Sequence, residues 1–427
     1  MNSVRKSAKR GNMSNYKKGN PAKNFSNGVK SPTREICIIG GAGHVGLPLG
    51  VAFALNKVKT VLFDINKESL KKIKSGVFPF KEKDGPKYLK QVLKKKTLFV
   101  SWTPKAIMQS RFVFLVVGTP IDEYLNPHIK GIFKVLDDYF DYFRDGQIII
   151  LRSTIYPNTS ERIQRYFEER KKKIQVAFCP ERIVEGNALH ELQNLPQIIS
   201  AFDPGTLEAV KNLFGKLTKR KLIPVKPIEA ELAKLFCNAW RYIHFAIANQ
   251  FFMIASDHGL DYSKIHSAMI EDYDRNKDIP RPGFAAGPCL LKDTMQLAAF
   301  NNNNFFLGHT AMLINEGLPS HIMHKLSQEF PDIKTKTVGI LGMAFKADSD
   351  DHRDSLSFKL RKIAETKCKK VLCHDFHIKS PSFHPLSKVL KQSDIIVLAA
   401  PHKQYKDLDM GKYKDKKIVD IWNFWGL

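Results

Sequence analysis

The stretch Ile36-Cys37-Ile38-Ile39-Gly40-Gly41-Ala42-Gly43-His44-Val45-Gly46 decides the fold. Four apolar residues, mostly β-branched, read as a buried strand, and the glycine spacing G-x-G-x-x-G then turns the chain into a helix. Each glycine has a task in that setting. Gly41 permits the tight turn, Gly43 lets backbone approach a pyrophosphate, and Gly46 lets helix and strand pack closely. The helix that opens near His44 and Val45 aims its N–H groups and positive dipole end at the phosphates. Asp64 ends the next apolar run. An acidic residue there accepts bonds from the adenosine ribose hydroxyls and repels a 2′-phosphate, which favours NAD over NADP.

Working outward, short apolar runs alternate with helical stretches: 60–63, 98–101, 112–117, 147–151, 176–178 and 198–201. Continuous apolar runs separated by helices are strands of a mostly parallel sheet buried on both faces. From Pro227 to Asp257 there is no Pro or Gly after the first residue, and apolar positions recur at helical spacing, which predicts one long helix. Helical segments continue to about Glu329, and a second alternating segment opens at Thr337-Val338-Gly339-Ile340-Leu341-Gly342. The expected fold is α/β: two doubly wound Rossmann-like domains joined by a central helical domain with one long connecting helix. The expected boundaries are 34–226 for the NAD-binding domain, 227–330 for the helical domain and 331–427 for the C-terminal domain. Residues 1–33 precede them as a basic, solvated tail.

The net charge is +26, and residues 1–34 hold nine Lys or Arg without one Asp or Glu. Such a tail suits nucleic acid or an anionic surface, but its few apolar residues also describe a disordered extension. The folded part has no recognised nucleic-acid motif, so no specific nucleic-acid partner is expected. The six cysteines form no CxxC pair, which signals neither a disulfide framework nor a metal site. No uncharged run reaches membrane-spanning length, and a cytoplasmic enzyme without membrane insertion is expected.

Cys289 stands apart from the other cysteines. Gly287 and Pro288 place it at a loop-to-helix junction, where a helix N-terminus would stabilise a thiolate, and Asp293 returns to the same helix face four residues on. Cys37, Cys179, Cys237, Cys368 and Cys373 read as small buried hydrophobes. On the long helix, Lys234 and Asn238 are four apart and share a face.

With these residues in view, the chain resembles the UDP-glucose/GDP-mannose dehydrogenase family of nucleotide-sugar 6-dehydrogenases from about Glu35 to the C-terminus. The motifs that match in order are Ile39 to Pro48, Val117-Gly118-Thr119-Pro120, Arg152-Ser153-Thr154, Cys179-Pro180-Glu181 with Glu185-Gly186, and Glu231 to Leu235 with Asn238. Gly287-Pro288-Cys289 with Lys292-Asp293, and Gly342 to Lys346 with Asp351 and Arg353-Asp354-Ser355, complete the set. Three positions depart from the common pattern: His44 stands for a usual Tyr, Gln250 for a frequent Glu, and Ala285-Ala286 for glycines.

The resemblance implies a four-electron oxidation of a sugar C6 alcohol to a carboxylate, with two NAD per sugar. Cys289 would trap the aldehyde as a thiohemiacetal, and a second hydride transfer would give a thioester that water hydrolyses. Lys234 and Asn238 would stabilise charge on the C6 oxygen. Asp293 would position Lys234 and a water, and Glu181, assisted by Thr119, would be the base for hydrolysis; Asp293 as principal base is the alternative. Thr119, Ser153 and Thr154 would join the glycine turn around the cofactor. Glu181, Glu185, Lys234, Asn238, Gly287, Lys346 and Arg353 would surround the substrate. The wording of several segments looks closer to the UDP-N-acetylhexosamine (ManNAc or GlcNAc) branch, with UDP-glucose the near alternative and GDP-mannose a more distant one. Another NAD-dependent dehydrogenase would need neither the cysteine nor the second α/β domain, and a nucleic-acid-binding protein would leave the whole set unexplained. A homodimer or larger assembly through the long helix is expected.

Overall fold

The computed structural model describes residues 33–119, 122, 129–285 and 287–426. Residues 1–32 of the basic tail, Pro120 and Ala286 lie outside them. The first sheet has eight strands: β1 (Arg34–Ile39), β2 (Thr60–Phe63), β3 (Leu98–Ser101), β4 (Ser110–Leu115), β5 (Ile148–Leu151), β6 (Gln175–Phe178), β7 (Gln197–Ala201) and β8 (Leu222–Pro224). Their order is β3-β2-β1-β4-β5-β6-β7-β8, parallel except between β6 and β7. The order reverses between β1 and β4, so the glycine turn after β1 and the loop after β4 open a crevice at the carboxyl ends of the strands.

The sheet is a core on both faces. Ile36 and Ile38 join one apolar cluster while Cys37 and Ile39 join the other, as the two-residue period of a strand requires. β8 was not expected. It is three residues long, follows the charged stretch 219–221 and ends on Pro224, so its apolar run is too short to mark a strand.

The long helix forms over Pro227–Asp257. Proline opens it without loss of a hydrogen bond, and Glu229 Oε2 accepts the Lys226 N–H at 2.8 Å to close its first turn. It packs along the helices Leu290–Phe300 and Phe306–Glu329. The second sheet, β9 (Thr337–Leu341), β10 (Lys370–His374), β11 (Ile395–Leu398) and β12 (Lys417–Val419), is fully parallel in the order β10-β9-β11-β12. Its core takes in Phe284 and side chains of the helix Phe306–Glu329, so helical and C-terminal parts share apolar surface. Among the described residues no helix is long and apolar enough to cross a membrane.

Candidate active site

The glycine turn is built differently in one detail from its expected form. Gly40, not Gly41, is the left-handed residue: its φ is +81°, and a Cβ there would lie 1.8 Å from the Val116 carbonyl oxygen. Gly41 is needed because a Cβ would sit 2.8 Å from Leu62, and Gly46 because a Cβ would sit 2.3 Å from Gly40 O. A Cβ on Gly43 would meet nothing closer than 3.6 Å, which leaves that backbone open to a phosphate. Asp64 Oδ2 accepts the Ala42 N–H and its Oδ1 the Asn66 N–H, each at 2.9 Å, which fixes the carboxylate at the rim of the turn. Val45 precedes the helix Gly46–Leu55, and the His44 ring stacks on Phe80 at 4.0 Å. These features fit the adenosine pyrophosphate half of NAD, with Gly43 and the helix start at the phosphates and Asp64 at the ribose.

Beside the turn, the ends of β4 and β5 are stitched together. Ser153 Oγ accepts the Val117 N–H at 2.8 Å and donates to Val117 O at 2.7 Å, while Thr119 Oγ1 donates to Thr154 O at 2.5 Å. The Ser153 hydroxyl is thus committed to the backbone, so its contribution to a cofactor pocket is shape rather than a free donor.

Cys289 is the residue before the helix Leu290–Phe300, as its flanking Gly and Pro predict. It keeps an exposed edge, yet its thiol is pushed above the ordinary range. Desolvation by the surrounding protein is the larger cause and the Asp293 carboxylate the next, opposed by Lys292 and Lys234. The expected thiolate stabilisation by the helix end is outweighed by these two effects. Cys237 also departs from expectation: it is exposed on the long helix, and Cys368 is only half-buried.

Around Cys289 the structure brings together most of the expected residues with altered pairings. Buried Asp293 accepts Asn238 Nδ2 at 2.5 Å on Oδ2 and pairs with Lys292 through Oδ1, rather than with Lys234. Lys234 is buried, and among the described residues no hydrogen bond or ion pair holds its ammonium. Glu231, three positions before it, is engaged elsewhere. It is fully buried and accepts the Asn158 and Ser160 N–H groups at 2.6 and 2.9 Å, capping the helix Thr159–Glu169.

Both carboxylate oxygens of Glu181 are engaged. Arg152 donates Nε and Nη2 to its Oε2 at 3.0 and 2.6 Å, and its Oε1 accepts the N–H groups of Arg182 and Ile183 at 2.7 and 3.1 Å. Arg152, fully buried, also holds Cys179 O and Gln197 Oε1 at 2.8 and 2.9 Å. Its role was invisible in the sequence beyond a charged residue at a strand end.

Glu185 lies where the two α/β parts meet. Its backbone oxygen accepts Lys346 Nζ at 2.6 Å, and Arg353 Nη2 lies 3.4 Å from its Oε1. Its Oε2 is buried without a hydrogen-bond partner, and burial raises its ionisation range against the pull of His44 and Arg353. Arg353 is steered by Asp351, which accepts its Nε at 2.9 Å. Gly287, at φ +100°, has its backbone against the Phe345 ring, where a Cβ would come within 2.3 Å.

The first turn of the C-terminal sheet repeats the geometry of the first domain and closes it. Gly342 has φ +86°, and Asp375, at the end of β10, accepts the Met343 and Ala344 N–H groups at 2.6 and 3.1 Å. Asp375 also takes His402 Nε2 at 3.0 Å, while His402 Nδ1 accepts the Asp348 N–H at 2.8 Å. The amides that could bind a pyrophosphate are thus satisfied internally, and the dinucleotide site belongs to the N-terminal domain.

A dinucleotide turn beside a cysteine, an unpaired buried lysine and a second α/β unit presenting Lys346 and Arg353 define a nicotinamide-dependent dehydrogenase with a phosphate-bearing substrate. More closely, the chain belongs to the UDP-glucose/GDP-mannose dehydrogenase family. The family's NAD binding domain matches residues 34–218, its central domain 228–316 and its UDP binding domain 339–426. The chain is accordingly an NAD-dependent nucleotide-sugar dehydrogenase. The UDP-N-acetyl-D-mannosamine dehydrogenase of Pyrococcus horikoshii is 29% identical over 399 residues, 89% of this chain and 93% of that one. That of Methanocaldococcus jannaschii is 29% identical over 413 residues, 91% and 92% of the two chains. The solved structure of a UDP-D-ManNAc dehydrogenase from Pyrococcus horikoshii superposes with a TM-score of 0.84 at 27% identity, covering 90% of this chain and 94% of that one.

Proposed function

We propose that the enzyme oxidises the C6 alcohol of a UDP-N-acetylhexosamine to the carboxylate, using two NAD per sugar and a covalent intermediate on Cys289. The observation that carries the reading is the convergence of Lys234, Asn238 and Asp293 with Glu185 on Cys289. NAD, when bound, accepts the hydride in each oxidation. The Lys234 ammonium and Asn238 stabilise the C6 alkoxide as its proton passes to a solvent water beside the Asp293 carboxylate. The thiol of Cys289 adds to the resulting aldehyde, and the thiohemiacetal loses a second hydride and a proton to become a thioester. Water then replaces sulfur and releases the carboxylate. Glu185, whose Oε2 has no hydrogen bond and lies 4.0 Å from His44 Nδ1, is a carboxylate placed to activate that water, with Glu181 and Asp293 the alternatives. Lys346 and Arg353 face the diphosphate.

The N-acetylhexosamine assignment is supported by relatives named UDP-N-acetyl-D-mannosamine dehydrogenases, and surface polysaccharide precursor synthesis is the purpose proposed for it. A UDP-glucose 6-dehydrogenase is the second reading, favoured by the family's own name. Mixing the protein with NAD and a panel of UDP and GDP sugars tests both. Two NADH per UDP-ManNAc or UDP-GlcNAc is the expected result, and exclusive response to UDP-glucose overturns the assignment.

The proposed working unit is a cytoplasmic homodimer, with 34–226, 227–330 and 331–427 acting as cofactor, helical and substrate parts. Phe236, Trp240, Ile247, Phe251 and Ile254 form an exposed apolar stripe along the long helix, and Phe306 and Leu313 are exposed on the helix Phe306–Glu329. A stripe of that length fits a second copy of the same helix. Light scattering at micromolar concentration should give twice the chain mass, and a monomer rejects the dimer.

A further inference from the structure

The loop that delivers Cys289 enters at Gly283, and that entry is gripped by two buried asparagines. Asn249 Oδ1 accepts the Gly283 N–H at 2.8 Å, and Asn249 Nδ2 donates to Gly283 O at 3.0 Å and to Asn315 Oδ1 at 2.8 Å. Asn315 Nδ2 in turn donates to Tyr242 O at 3.0 Å. Both asparagines are fully buried. The directions are forced, because the Gly283 N–H can only donate; the amide orientations of the whole chain follow from it. Gly283 also backs onto Trp422, whose ring would stand 2.2 Å from a Cβ, and Phe284 plugs into the core of the C-terminal sheet. Nearer the cysteine, the Gly287 N–H donates to Asp354 O at 3.3 Å.

We infer that Asn249, braced by Asn315, is a positioning residue for Cys289, setting the cysteine loop against Lys234 and Asn238. Asn249 lies eleven positions beyond Asn238, about three turns along one helix, so both project from the same face. The long helix therefore measures the distance between the oxyanion-stabilising pair and the entry of the nucleophile's loop. Both ends of the Asn249 amide are spent on Gly283 and Asn315. Its effect passes through the backbone of Gly283. An aspartate in its place would set a carboxylate against two acceptors, Gly283 O and Asn315 Oδ1, so the amide itself is required.

The inference rests on the covalent role proposed for Cys289, and its test separates the two. In Asn249→Ser a displaced thiol captures the aldehyde poorly. Turnover should fall about 100-fold, as a displacement near 1 Å does, while the KM for NAD stays unchanged. The decisive readout is stoichiometry: NADH per sugar should drop from two toward one, with free aldehyde trapped by hydrazine. Alkylation of Cys289 by iodoacetamide, followed by mass spectrometry on protein shown folded by circular dichroism, should speed up several-fold. A folded Asn249→Ser enzyme that keeps two NADH per sugar and wild-type alkylation overturns the inference. Should that variant not fold, Asn315→Ser leaves the Gly283 bonds in place, removes only their brace, and is judged by the same measures. If wild-type protein reduces no NAD with any UDP-sugar, the proposed reaction is wrong, and the alkylation rates alone decide the positioning role.

Discussion

Asn238 reaches from the long helix to Asp293 on the cysteine helix, its amide nitrogen 2.5 Å from Oδ2. The bond joins positions 55 apart in the chain and places two expected site residues in direct contact. It also sets the electrostatics of the nucleophile. Asp293 lies beside Cys289, paired with Lys292, and its carboxylate adds to desolvation in pushing the thiol up.

Asp293→Asn should therefore lower the midpoint of Cys289 alkylation. The replacement keeps an oxygen for Asn238 but removes the charge that disfavours the thiolate. In the wild type the pH–rate profile with iodoacetamide should rise above the ordinary thiol value of about 8.5, and in the variant at lower pH. An unchanged midpoint would show that desolvation alone sets it.

Arg152→Met should destabilise the fold by about 3–5 kcal/mol, because it strips both charge-assisted bonds from the buried Glu181 carboxylate. Urea midpoints at constant slope measure this, and Arg152→Met combined with Glu181→Gln should recover part of the loss by removing the uncompensated charge.

Two glycines of one turn should respond in opposite ways. Gly40→Ala meets the Val116 carbonyl and a left-handed backbone, so it should lower the melting temperature and impair NAD binding together. Gly43→Ala has room within the protein. It should leave the melting temperature unchanged while weakening NAD by about tenfold, or roughly 1.4 kcal/mol, since its methyl points where the phosphates lie. Calorimetric titration with NAD separates the two.

The Asp375–His402 pair predicts an acid weakness in the C-terminal sheet. Burial works against the Asp375 charge, but His402 and four backbone N–H groups outweigh it and hold the carboxyl well below its usual range. A depressed carboxylate contributes stability that is present above its unfolded value of about 3.9 and is lost as pH falls toward its folded value. Asp375→Asn should cost about 3 kcal/mol at pH 7, and the difference from wild type should shrink as pH drops below about 4. A constant difference between pH 7 and pH 3 would contradict the linkage.

The strands of both sheets were legible because a strand buried on both faces must be apolar throughout. Ile36–Ile39 and Thr60–Phe63 stand out in any surrounding sequence. β8 and the antiparallel direction of β7 were not, since a three-residue strand carries no period and strand direction leaves no local mark. In the site, Gly43, Asp64 and Cys289 were readable from local geometry alone: a turn, the end of a strand, a helix start.

The sequence by itself determined where a dinucleotide turn must form, which cysteine stands at a helix start and that two α/β units flank a long helix, because each depends on residues within a few turns of one another. Only the tertiary structure decided that Glu181 is bound by Arg152, that Asp293 serves Asn238 and Lys292 rather than Lys234, and that Asn249 grips Gly283. Those partners lie far apart in sequence or on different elements. Hydrogen-bond energy depends on fractions of an ångström, which the packing of helices on sheets sets and local pattern does not.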